Sequence, residues 1–270
     1  MDKELLSILK EANPDKKISL FNDFYRDYKA KDIDLSYKFE VVEFDKPSYA
    51  SVCKIVPPQD VPRRSNLTTK DGQIILLHAI MHIEYSAIDL AIDAVYRFRD
   101  LPKQYYDDWL EVADDEVRHF LMLRELIQEL GADYGDVEVH DALFEASQRT
   151  QTLIERMAVV PRYLEANGLD ATPLILKKLK KLPKNEMIDK IIDRLNIILE
   201  EEIDHVKKGD IWFNYACKKN DMKKSSIYFE IIDRYYPQGF SRARSINTEA
   251  RKEAGFSCVE LNKMAHKDIC

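Results

Sequence analysis

After Thr68, apolar residues recur every three or four positions over most of the chain, the period of a helix with one buried face. A first long helix is expected to open in "TTKDGQ", with Thr68 or Thr69 as its cap, and to run to about Arg99. A second starts after Pro102, a favoured first-turn residue, and stops at Gly131, a favoured residue just past a helix end. A third is expected from about His140 to Asn167, stopped by Gly168, with a short helix near 173–181 in the connection that follows. The fourth begins after Pro183 and reaches about Lys219, and two shorter helices, about 222–235 and 247–265, close the chain.

The pattern before Thr68 is different. Two short amphipathic helices, about 2–12 and 18–30, lead to "YKFEVVEF", whose alternation fits a brief strand or an extended arm. "KIVPPQDVPRRSN" follows, too rich in proline to be helical throughout. Residues 1–66 therefore read as an arm packed on the main body, 67–220 as a four-helix bundle, and 221–270 as a C-terminal helical extension. Long helices with a short first join and a longer join between the third and fourth suit that all-α architecture.

Composition narrows the picture. The chain has 270 residues, of which 45% are hydrophobic and 33% charged, with seven glycines, values that suit a helix-rich globular protein. A formal net charge of −7 argues against a general nucleic-acid binder but leaves RNA open as a small-footprint substrate. Cys53, Cys217, Cys258 and Cys270 form no CxxC pair and no zinc-like spacing, so no disulfide framework is expected and the chain reads as cytoplasmic. "MDKELLSILKEANPDKK" holds no apolar run long enough for a signal peptide, and no stretch approaches the roughly 18 uncharged apolar residues of a membrane span.

Chemistry enters at two places where the buried stripe is interrupted. In "ADDEVRHFLML", Glu116 and His119 lie three apart, and in "LEEEIDHVKKG" Glu202 and His205 repeat the spacing. Residues three apart share a helix face, so each pair can address one point. Ile191, Leu195, Ile198, Glu202, His205 and Gly209 follow one stripe; Val112 or Ala113, Glu116, His119 or Phe120, and Leu123 follow another. Lone charges on such faces are expensive. The first helix adds Glu84, the one acid among Ile80, Ala87, Ile88, Ala91 and Val95, with Asp89 and Asp93 off to one side. The third nominates Glu165, which shares a face with Ile154, Ala158 and Pro161; Glu155 is its competitor, though an ion pair with Arg162 would account for it.

A single Glu-x-x-His is more often a solvated pair than a ligand set. Two of them, each accompanied by a long helix with one acid in its apolar stripe, form the donor set of a di-iron or di-manganese carboxylate protein. Carboxylates offset the metal charge and can bridge two ions, each histidine gives one nitrogen, and mixed oxygen and nitrogen ligation favours iron or manganese over structural zinc.

Glu84, Glu116-x-x-His119, Glu165 and Glu202-x-x-His205, in that order, resemble the ferritin-like di-metal carboxylate superfamily. The strings "LHAIMHIE", "DDEVRHF", "LEANGLDATP", "EEIDHVKKG" and "ARKEAGF" are similar to an uncharacterised, mostly bacterial branch of it, over roughly residues 55–257. A more distant likeness is to the di-iron tRNA hydroxylases, which share the Glu-Ala after the third helix's ligand. The resemblance implies a ferritin-like four-helix bundle with two metal ions, Glu84 and Glu165 as single ligands, and Glu116 and Glu202 as bridges. Fold does not fix reaction.

Other residues carry two readings each. His82 and His78 read as packing residues, or for His82 as a partner that orients a ligand. Tyr85 and Tyr163 read as ordinary tyrosines or as redox-active ones. Asp114, Asp115, Glu201 and Asp204 either face solvent or orient a ligand, and Arg162 is placed to hydrogen-bond a ligating carboxylate. "ILKKLKKLPK" is a solvated helix face or a landing site for an anion. Arg242, Arg244 and Arg251 are candidates for a phosphate or carboxylate on a substrate.

The leading expectation is a non-haem di-metal oxidoreductase that activates dioxygen or peroxide to oxidise or hydroxylate an unidentified substrate, a small molecule or a modified nucleotide. Iron is the favoured metal and manganese the alternative. Electrons would come from an external donor, since no flavin or nicotinamide fingerprint is visible, and a homodimer is the assembly considered. Two other classes stay open. One is metal handling without an organic substrate, as in ferroxidase action, peroxide scavenging or iron storage. The other is a non-catalytic helical protein, structural or RNA-associated, whose buried acids and histidines merely pair.

Overall fold

In the computed structural model, which describes residues 2–31, 33, 35, 37, 39–241 and 245–270, the amphipathic periods become helices nearly everywhere they were expected. The chain is all-α; among the described residues the only β-type pairing is an isolated bridge between Ile55 and Val139. "YKFEVVEF" forms no strand over its described residues, since an alternating segment without a partner edge has nowhere to place its backbone hydrogen bonds. Two compact units are present, Met1–Gln148 and Arg149–Cys270, and their boundary falls inside the expected bundle segment 67–220.

The first unit is built on a hairpin of α3 (Lys70–Arg97) and α4 (Lys103–Glu129), preceded by α1 (Asp2–Lys10) and α2 (Pro14–Lys31) and followed by α5 (Ala142–Arg149). Thr69 caps α3 by accepting from the Gly72 N–H, and Pro102 stands immediately before α4. Gly131 follows α4 with φ of 71°, the left-handed conformation that glycine adopts without a Cβ penalty. α3 is apolar and long enough to cross a membrane by composition alone, yet 72% of its apolar window is buried within the protein. That burial gives the apolar run a core-helix role.

Residues before α3 pack against it. Lys17 of α2, fully buried, pairs with Asp89 of α3, whose other carboxylate oxygen accepts from Ser48 Oγ at 2.6 Å. Further along, Arg99 Nη1 donates to the Leu35 carbonyl at 2.6 Å, and the Val42 N–H donates to Tyr96 Oη at 3.2 Å.

In the second unit, the expected third helix is broken and then extended. α5 ends, Thr152 starts α6 (Leu153–Val159) with a capping box to Glu155, and the helix widens into a π turn over Val160–Glu165. It continues as α7 (Ala166–Leu179), so Gly168 lies inside a helix and the short helix expected near 173–181 is the last part of α7. A glycine is a good stop only where the chain turns left-handed, and Gly168 does not. The π turn coincides with Pro161, whose missing N–H removes one i→i−4 bond and favours a wider register.

α8 (Glu186–Lys219), capped by Asn185, packs against α6, the π turn and α7. α9 (Lys224–Tyr235) follows, and the last expected helix is two pieces, α10 (Thr248–Glu253) and α11 (Cys258–Ala265), separated at Gly255 with φ of 96°. Cys258 and Cys270, expected to be unpaired, form a disulfide that ties the chain end to α11.

α8 comes close to the π turn because position 209 has no side chain: a Cβ there would overlap the Cβ and Cγ of Pro161. Gly168, in contrast, has open space around its missing Cβ. Gly209→Ala should therefore lower stability by about 1–3 kcal/mol through overpacking. Gly168→Ala should raise it by about 0.5–1 kcal/mol, as for glycine replaced in a helix interior. Urea denaturation midpoints of the two variants check the opposite signs.

Candidate metal centre

Glu84 of α3 and Glu116 and His119 of α4 are brought together in the first unit. The three side chains are 4%, 1% and 0% exposed. His119 Nδ1 lies 3.2 Å from Glu84 Oε2 and 3.5 Å from Glu116 Oε2. One donor atom from each of the three falls within 4.8 Å of the others, close enough to hold one metal ion. Buried walls formed by Ile80, Ile88, Val112, Ala113, Phe120 and Leu123 keep this part of the hairpin apolar.

Two carboxylates in such surroundings need positive charge. Burial alone would lower the His119 pKa, but the hydrogen bonds and negative charges of Glu116 and Glu84 outweigh it and push the ring up to about 11. In the metal-free protein the imidazolium balances the acids. A metal ion requires the neutral ring, so loading would release that proton.

The second unit carries the other candidates. Glu202 and His205 sit on α8 with Nδ1 and Oε1 3.6 Å apart, the histidine buried and the carboxylate 14% exposed. Glu165 is the last residue of the π turn and is half-buried. Single π turns occur frequently at functional sites. Glu155 is otherwise engaged: its carboxylate accepts from the Thr152 hydroxyl at 2.6 Å and from the Thr152 N–H at 3.3 Å, and pairs with Arg234 at 3.4 Å.

Arg162 does not serve a ligating carboxylate or Glu155 through any bond found here; its guanidinium pairs with Asp210 and Glu260, each at 2.8 Å. It is fully buried, with its centre 4.2 Å from the Tyr228 ring, 4.5 Å from Phe256 and 4.9 Å from Phe213. The π turn adds a residue to the helical circuit and so turns Arg162 away from the face that ordinary spacing gives it. Arg251 is buried as well. It pairs with Asp170 at 2.6 Å and donates to the Ala166 carbonyl, which removes it as a substrate-binding arginine. Arg242 and Arg244 lie outside the described residues.

Most of the flanking residues take the plainer of their two readings. His82 is held by Tyr134 Oη on Nδ1 and by the His140 carbonyl on Nε2, both at 3.0 Å. His78 Nε2 accepts the Gly135 N–H at 2.9 Å. Tyr85 packs on Tyr134 and Phe120, and Tyr163 on Tyr236 and Phe240. Asp115 pairs with Arg118 and Asp204 with Lys208. The lysines of "ILKKLKKLPK" are exposed while Leu176 and Leu179 are buried, a solvated helix face.

Fold and site together define an all-α protein with a buried carboxylate–histidine cluster able to hold a metal ion. The chain belongs to the family described as protein of unknown function (DUF455), whose model matches residues 10–262. It is 38% identical over 265 residues to an uncharacterised protein of Haemophilus influenzae, covering 94% of this chain and 90% of that one. No solved structure matches the chain.

The His78 hydrogen bond has a pH signature. Burial pushes the His78 pKa down to about 4, and the unfolded ring titrates near 6.5. The unfolded state therefore binds the proton more readily, so this contribution is complete above about pH 6.5 and is lost as pH falls towards 4. The slope is up to about 1.4 kcal/mol per pH unit. His78→Gln keeps an acceptor without a titrating ring, and unfolding free energies measured at pH 7 and pH 5 should differ less in that variant than in the parent.

Proposed function

We propose that the protein is a non-haem di-metal carboxylate oxidoreductase, iron-loaded, that uses dioxygen or peroxide to oxidise or hydroxylate an organic substrate. The observation that carries this reading is the buried Glu84–Glu116–His119 cluster. Two features of the second unit support it: the repeated Glu202-x-x-His205 pair on α8, and Glu165 at the end of a π turn. In this proposal Glu84, Glu116, His119, Glu165, Glu202 and His205 would hold the two ions.

The donors fit the group. Each set holds carboxylate oxygens and one imidazole nitrogen with no thiolate, a composition suited to iron or manganese. When bound, the metal ions supply the redox chemistry that activates the oxidant. The chain's own residues do the rest. Glu84 and Glu116 bring fixed negative charge into a dry space, where it stabilises a di- or trivalent cation far more than in water. His119 loses its proton on loading and becomes a neutral ligand. Phe120 and Leu123, both fully buried, exclude water that would quench a reactive oxidant. Reducing equivalents come from a separate donor.

Protein produced with iron or manganese should carry two ions per chain by elemental analysis, and the two should be magnetically coupled, as ions that share bridging ligands are. Glu116→Gln should lower metal affinity at least tenfold, about 1.4 kcal/mol, while Glu155→Gln leaves it unchanged. Metal-free protein from both media would leave a helical protein whose buried acids and histidines only pair. Stoichiometric iron that is oxidised without coupling to any organic substrate would instead indicate metal handling.

A further inference from the structure

A second cavity lies in the first unit, away from the metal cluster and independent of its reading. Its volume is about 310 Å³, within the range of small-molecule sites. It opens between residues 44–51, the end of α1, one face of α3 and α5. On α3 it is lined by Asp89 and Asp93, which lie about 140° and 180° around the helix from Glu84 at 100° per residue. No residue of the metal cluster lines it.

Its polar floor is made of carboxylates already paired from behind. Lys17 and Ser48 hold Asp89, and Arg97 holds Asp93 at 3.2 Å. Each Asp89 oxygen has one partner, Lys17 Nζ on Oδ1 and Ser48 Oγ on Oδ2, so each keeps a further lone pair for a donor in the cavity. The walls are aromatic. Phe44, Tyr49 and Phe144 line the cavity, with both phenylalanines half-buried. Tyr49 is 1% exposed, and its hydroxyl makes no hydrogen bond among the described residues.

The carboxylates of the floor, the hydroxyls of Ser51, Ser86 and Ser147 around them and the aromatic side chains of the walls together suit a cation with N–H donors. Carboxylates take its hydrogen bonds, and aromatic rings attract its charge. We propose that this cavity is a binding site for a small organic amine, its ammonium seated on Asp89 and its apolar body lying between Phe44 and Phe144. A ligand ammonium donates to the lone pairs that Lys17 and Ser48 leave on Asp89. Lys10 and Lys46, which also line the cavity, are exposed to water and screened there, so they do not cancel the floor.

The test uses the full-length protein and a matched pair of probes, phenethylamine and 3-phenylpropionate, which share a body and differ in charge. Calorimetric titration and thermal melting should show saturable binding of the amine and a rise in Tm, with no response to the acid. Amide shifts in the wild-type spectrum should centre on residues 47–51 and 144–148. Ala50→Trp, which fills the cavity, should abolish the response with metal content unchanged. The paired change Lys17→Met with Asp89→Asn, which leaves no lone buried charge, should weaken amine binding at least tenfold. No amine binding, equal or better binding of the acid, or shifts mapping elsewhere would each overturn the proposal. So would undiminished binding in a folded Ala50→Trp protein.

Discussion

Negative charge buried within α3 and α4 is the constraint on which the first unit turns. Two glutamates and a histidine, all nearly inaccessible, occupy the middle of a helical hairpin in which Ile80, Ile88, Val112, Ala113, Phe120 and Leu123 are buried apolar residues. Left alone, either carboxylate would carry a desolvation penalty of several kcal/mol. The hairpin tolerates them because His119 sits between them and takes up a proton. That arrangement is adequate for folding but poor as a purpose, since isosteric apolar residues at the same positions would be at least as stable. A proton holding a place that a metal ion can take gives the cluster a reason to exist.

The second unit meets a related problem in a different way. Its most deeply buried charge, Arg162, is compensated inside the protein by Asp210 and Glu260 and is wrapped by three aromatic rings. Planar guanidinium suits that cage, because it donates a hydrogen bond to Glu260 and pairs with Asp210 while three aromatic rings surround it. The cage fixes the π turn from one side and the Gly209–Pro161 approach fixes it from the other. Glu165 is the last residue of that turn. Packing around Arg162 and Pro161 therefore helps to set its position.

Much of this was legible in the residues. Four long periodic segments marked α3, α4, the α6–α7 rod and α8, because an apolar stripe at helical spacing has no other stable use. Glu84, Glu116 and His119 stood out as polar interruptions of such stripes, and their side chains do converge. The misreadings share a cause. Gly168 resembles a stop only locally, whereas helix length here is decided by packing of Leu169, Leu176 and Leu179 beyond it. A π turn shifts the face of every following residue by an extra step, and periodicity carries no sign of one; Arg162 was accordingly given the wrong partner. A separation of 12 between Cys258 and Cys270 matches no spacing rule, so only the fold could bring them together.

α3 then has chemistry on opposed faces, and this limits how it can move. Glu84 is engaged with His119 of α4, while Asp89 is engaged with Lys17 of α2 and Ser48 of the arm. A rotation of α3 that served one set would break the other, so the helix is held by both. The early residues of the chain are thus more than a cover. By neutralising Asp89 they stabilise one rotational setting of α3, and that setting is the one that aims Glu84 at α4. The two sides of α3 thus share one rod, with a set of partners on each.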